Sequence, residues 1–237
     1  MSTTQIIIIL AFTTVGAMIQ GSTGIGFTLV AGPALVALDP GFAPGPFLVV
    51  AQLISVRHIV AEFHEVDRRA VGHAFLGLPV GLGIGLLILG AMSASNLALL
   101  VGGLTAVSCA VLLAGFRPHR TPATEIAGGG ACTFAAVTAG LPGPPLIITY
   151  HDMTPPSLRA TVSSFVVVVA SFGFVSLVIT GNFGWHQLAL TGWLLPGVGI
   201  GLLSARFVRP IIDRHWFRPA VLVIALLGGL ALVIGQL

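Results

Sequence analysis

QGSTGIGFTL at residues 20–29 and AAVTAGLPGPPL at residues 135–146 decide the fold, because each interrupts a long apolar run with glycine or proline. In the second, Pro142, Pro144 and Pro145 are three prolines in four positions; they remove amide donors and clash with the preceding turn, so no regular helix continues through them. The two stretches lie in register. Gly26 and Gly143 are 117 positions apart (143 minus 26), as are Leu29 and Leu146, and Leu78-Pro79 and Leu195-Pro196. Each Leu-Pro pair is followed within three residues by GIGLL, at 83–87 and 199–203. The chain therefore reads as two halves, 1–116 and 124–237. The stretch 117–123, beginning Arg117-Pro118-His119-Arg120-Thr121-Pro122, forms a polar linker that cannot continue a helix.

Working outward, apolar segments run at about 5–19, 21–38, 46–63, 70–90 and 95–116 in the first half. In the second they run at 124–138, 140–151, 157–180, 185–205 and 217–236. Of the 237 residues, 56% are hydrophobic and 7% charged, with mean hydropathy +1.06. A soluble domain carries about 25% charged residues. The expectation is an all-α integral membrane protein, two repeats of about five segments each, with broken or re-entrant Gly/Pro-rich helices. Residues 124–151 are too few for two full spans of about 20 residues each, so segments one and two, and six and seven, are either short or re-entrant.

All ten cations are arginines in short loops or helix ends, which leaves no basic tract for nucleic acid. Positive residues in short loops stay in the cytoplasm. Arg68 and Arg69 follow segment three, Arg117 and Arg120 follow segment five, Arg159 precedes segment eight, and Arg206, Arg209, Arg214 and Arg218 separate nine from ten. The loops at 39–45, 91–96 and 181–184 contain no cation. Ten crossings with both termini outside satisfy every loop, and the halves are then oppositely oriented, an inverted-topology repeat. No positive residue precedes the first apolar run, which reads as a membrane helix and not a cleaved signal peptide.

Paired interruptions at equivalent positions of inverted halves point to a transporter's central site. A helix restarting after such a break turns its free N–H groups toward the gap, where the dipole favours an anion. The alternative is that the glycines permit close helix packing, the preferred reading for the two GIGLL motifs. The candidate substrate-binding residues are Gln20, Gly21, Ser22, Thr23, Gly24 and Gly26 at the first break, with Gly140, Gly143 and Pro144 at the second. Gln52, Arg57 and Arg159 join them as polar residues in or near spans. His58, His73, His151 and Asp152 also lie near segment ends, where snorkelling to the interface competes with ligand binding. Trp185 and Trp216 fall at interface positions and read as belt anchors.

GSTGIGFTLVAGPAL at 21–35, AGLPGPPLIITYH at 139–151 and the downstream Arg159 resemble the sulfite exporter TauE/SafE family over nearly the whole chain. The resemblance implies a multi-pass plasma-membrane permease, commonly an exporter, for a small sulfur-containing or organic anion such as sulfite, a sulfonate or sulfoacetate. The family's usual first break is a denser glycine run; here Ser22 and Thr23 precede Gly24.

An anion channel would share the architecture. An intramembrane hydrolase would need a nucleophile and base, for which Ser22 with His58 or His186 is the available pair, without a supporting motif. The expectation is therefore no enzyme. Cys109 and Cys132 sit alone in apolar stretches as small core residues, and neither cofactor nor metal is expected. No Walker-type nucleotide loop occurs, so a gradient, a membrane potential or a partner ATPase would drive transport. Lipid, a small anion and a second copy in a homodimer are the expected partners.

Overall fold

Lipid offers the backbone no hydrogen-bond partners, so a membrane-spanning chain must satisfy its amides within helices or a closed barrel, and long unalternating apolar runs favour helices. The computed structural model, which describes residues 2–24, 26–212 and 217–236, is helical with no strand among them. The first five helices are α1 (Thr3–Thr23), α2 (Phe27–Leu38), α3 (Gly45–Glu62), α4 (Arg68–Gly90) and α5 (Ala94–Leu113). The second five are α6 (Pro122–Ala139), α7 (Gly143–Thr149), α8 (Pro155–Ile179), α9 (Trp185–Ile212) and α10 (Phe217–Ile234). Short 3-10 turns at Pro40–Phe42 and Phe63–Glu65 complete the described elements. The starts follow ordinary capping chemistry: Ser2, Asp67, Ser93 and Thr121 each accept an amide of the helix they precede.

Among the described residues, six helices are long and apolar enough to cross a membrane: α1, α3 with its flanking turns, α4, α5, α8 and α9 as far as Ala205. Helix α2 and residues 219–234 are apolar but shorter, and α7 has only seven residues. Apolar side chains also face outward. Val60, Leu87, Ile179 and Leu203 are all more than 70% exposed, a surface that lipid covers and water would not. Trp185 is exposed at the start of α9, whereas Arg214 and Trp216 lie outside the described residues, as do the side chains of Arg206, Arg209 and Arg218.

The helices pair as α1 with α9, α4 with α6, α3 with α8, and α5 with α10. Between membrane helices the hydrophobic effect gives little drive, so close backbone approach through small residues must supply the packing. A Cβ at Gly77 would overlap the Ile126 carbonyl, one at Gly81 the Gly130 carbonyl, and one at Gly129 the Ala74 carbonyl, all across the α4–α6 crossing. Gly201 likewise leaves room for the Thr14 carbonyl across α1–α9. In the GIGLL motifs, then, Gly85 and Gly201 face a neighbouring helix, while Gly83 and Gly199 face open space.

The arginine-rich end is held by a polar network. Arg120 of the linker lies 2.7 Å from Asp67, 2.6 Å from Glu125 and 3.7 Å from Asp152, so it contacts carboxylates of both halves. Glu125, buried, also meets His73 Nδ1 at 2.5 Å. Burial pushes the Asp67 carboxyl up, but the Ala70 amide, the Arg120 guanidinium and the Arg69 amide outweigh it and hold the carboxyl below its usual value. A carboxyl depressed by folding stabilises above its unfolded pKa and loses that contribution as pH falls through its folded one. The melting temperature in detergent is therefore expected to fall less between pH 5 and 3 for Asp67→Asn than for the parent.

Candidate functional site

The first interruption is made by glycine geometry and closed by a glutamine. Gly24 ends α1 with φ 87°, and Gly26 precedes α2 with φ 126°, two conformations that side-chain-bearing residues rarely adopt. The turn lost there is replaced from within α1, where Gln20 Oε1 accepts the Phe27 N–H at 3.0 Å. Ser22 donates to the carbonyl of Met18 at 2.9 Å, with the Ala205 carbonyl of α9 3.2 Å away, and Thr23 donates to Ile19 at 3.0 Å. Gln20 thus acts as an acceptor tying two helices together.

Two arginines exploit the missing side chains. A Cβ at Gly24 would stand 2.7 Å from Arg159 Cγ, and one at Gly21 would stand 3.4 Å from Arg57 Nη1. Arg159, near the start of α8, is 6% exposed. Both oxygens of Glu62, at the end of α3, neutralise it: Nε to Oε2 at 3.0 Å, and Nη2 to Oε1. Such fork-to-fork geometry is what lets a guanidinium sit inside a helical bundle. Arg57 is exposed and has no acidic partner among the described residues.

One turn further into the bundle, buried His58 bridges α8 and α1. Its Nε2 lies 3.2 Å from the Gly21 carbonyl and its Nδ1 3.2 Å from Ser163 Oγ. A carbonyl only accepts, so Nε2 carries the proton; in the neutral ring Nδ1 then accepts from the Ser163 hydroxyl. The spacing is reciprocal. His58 and Glu62 are four residues apart on α3, Arg159 and Ser163 four apart on α8, and the helices face each other through both pairs. Glu62 and Ser163 were absent from the residues expected at the site, although this double i, i+4 pattern was the signal that could have found them.

At the second interruption, Gly140 ends α6 with φ 65° and donates to Ala136, while Leu141 donates to Ala135. The Gly140 carbonyl accepts the Thr28 hydroxyl at 2.7 Å, which brings the second interruption against the first turn of α2. The expected cradle of backbone amides is thin here. Pro144 and Pro145 have no N–H, α7 has only seven residues, and the Phe27 amide at the other interruption is already taken by Gln20. The positive charge at the site comes from side chains.

Of the expected residues, Gln20, Gly21, Ser22, Thr23, Gly24, Arg57 and Arg159 share one neighbourhood with Gly26 adjoining it. Gly140, Gly143 and Pro144 form a second, joined to the first through Thr28. Gln52 stands apart, donating to Ser171 across α3–α8 at 3.2 Å. Among the described residues no group of three or more His, Cys, Asp or Glu side chains is arranged to hold a metal ion.

Six membrane-length apolar helices among the described residues, with the Arg159–Glu62 pair between α3 and α8, define a multi-pass membrane protein. More narrowly, the chain belongs to the sulfite exporter TauE/SafE family of membrane permeases, whose family model matches residues 8–232. No curated protein and no solved structure matches it significantly.

Proposed function

We propose that the protein is a secondary transporter that exports a small sulfur-containing or organic anion, such as sulfite, a sulfonate or sulfoacetate, across the plasma membrane. The observation that carries this reading is Arg159, laid against side-chain-free Gly24 and balanced by the single carboxylate of Glu62. An oxyanion offers a guanidinium the same two-oxygen edge as a carboxylate, so the substrate competes with Glu62 for Arg159. Arg57, exposed beside Gly21, draws the anion in, with Ser22, Thr23 and the His58 ring close by. Membership of a permease family supports the transport reading. Liposome flux tests it: uptake of sulfite or a sulfonate should saturate, and those anions should raise the melting temperature where an uncharged solute of similar size does not. Non-saturating flux, or no ligand-dependent shift with any of these anions, would overturn it.

In this reading residues 1–116 and 124–237 are inverted repeats joined by 117–123. The pairing of α1 with α9 and of α4 with α6 supports it, since exchanging the halves turns the one pair into the other. Ser95 and His119, both exposed, are the labelling positions. Introduced singly as cysteines in a Cys109→Ala/Cys132→Ala background, they should react with an impermeant maleimide from opposite sides of the membrane. Same-side labelling would exclude the inversion.

A further inference from the structure

The close α4–α6 crossing leaves a groove of about 520 Å³ on the surface of the bundle. Its bottom is formed by the glycines that bring the helices together, Gly77, Gly81 and Gly130. Leu76, Val80 and Ile84 rise on one side, and Phe134 stands on the other beyond the small side chains of Ala127 and Ala131. Such a trench has the cross-section of a single acyl chain, because glycine and alanine at its centre let a chain lie below the level of the flanking apolar side chains.

The charges at one end of the trench say which lipid it suits. Arg69 lies seven residues before Leu76, so it continues the same helical row about 10 Å further along, the offset between a headgroup and the upper part of its acyl chain. The Arg120–Asp67 contact brings the linker against the same end of α4, and Arg117 is three residues upstream. Most of the acids there are already engaged; Glu65, exposed four residues before Arg69, has no ion pair among the described residues. Asp67, Glu125 and Asp152 gather around Arg120, and Glu125 also meets His73. Arg68 lies over the Phe63 ring. Arg69 and Arg117 are exposed, with no acidic partner among the described residues. A second copy of the chain fits this end poorly, since a symmetric partner in the same membrane would bring its own Arg69 and Arg117 to the contact.

We infer that the α4–α6 groove is a binding site for one anionic phospholipid, its acyl chain in the trench and its phosphate-bearing headgroup on Arg69 and Arg117. By the positive-inside rule this end faces the cytoplasm, so the lipid belongs to the inner leaflet.

Native mass spectrometry of the full chain, released from mixed phosphatidylglycerol and phosphatidylcholine bilayers, tests the assignment. The parent should retain one phosphatidylglycerol in preference to phosphatidylcholine. Arg69→Gln and Arg117→Gln should each reduce that retention about fivefold, the Boltzmann factor of the ~1 kcal/mol that one juxtamembrane cation contributes, without reducing phosphatidylcholine binding. Ala131→Phe, at an exposed position in the trench, should expel both lipids and leave the melting temperature unchanged. Equal retention of the two lipids by the parent, unchanged retention in Ala131→Phe, or a dimer that Ala131→Phe dissociates would each overturn the inference.

Discussion

Replacing Glu62 by Gln is expected to cost the folded protein about 3–5 kcal/mol, because it leaves the Arg159 guanidinium buried without a counter-charge. The loss belongs toward the lower end of that range, since the Glu62 side chain is 20% exposed and solvent screens part of the imbalance. Arg159→Gln removes the cation itself and leaves a smaller, partly wetted carboxylate problem, so it should destabilise less. The double variant Glu62→Gln/Arg159→Gln separates folding from function. Two amides can hydrogen-bond across α3–α8 without any buried charge, so most of the lost stability should return while anion flux should not. Thermal unfolding in detergent and liposome flux measure the two quantities on the same preparations. Recovery of flux in the double variant would show that Arg159 serves only to hold α8 against α3.

Gly129→Leu should be more damaging still. A Cβ there overlaps the Ala74 carbonyl, and neither backbone can withdraw without separating α4 from α6 along their length. The expected loss exceeds about 4 kcal/mol, in the tail of single-substitution effects where backbone overlap belongs. Gly83→Leu is the matched control, on α4 but with nothing within 4 Å of its Cβ position, and should change stability by no more than about 0.5 kcal/mol. Equal unfolding temperatures for the two variants would remove close glycine packing as the basis of this crossing.

The helices were largely legible in the chain itself. The apolar segment expected over 70–90 is Arg68–Gly90 and that over 157–180 is Pro155–Ile179, because hydropathy marks where the backbone must close its own hydrogen bonds. Helix α9 runs on past the expected 205 to Ile212, since a helix can continue beyond its apolar part into an interface. Gly24, Gly26 and Gly140 were legible as interruptions for a related reason: all three adopt positive φ, which glycine tolerates and other residues avoid.

What a chain of this kind determines by itself is local: where helices run, and where glycine and proline stop them. These follow from backbone hydrogen bonding and from the cost of placing charge in lipid, and both act residue by residue. Which faces meet is decided only in three dimensions. Arg159 and Glu62 are 97 positions apart, and His58 and Ser163 are 105 apart. Hydropathy carries no information about the rotation of α3 against α8 that joins them. The same holds for Gln20, whose side chain becomes an acceptor only once the chain turns back at Gly24 and brings the Phe27 amide to it. Tertiary packing likewise decides that the Arg159 guanidinium, which hydropathy would place at an interface, is buried against Gly24 and Glu62.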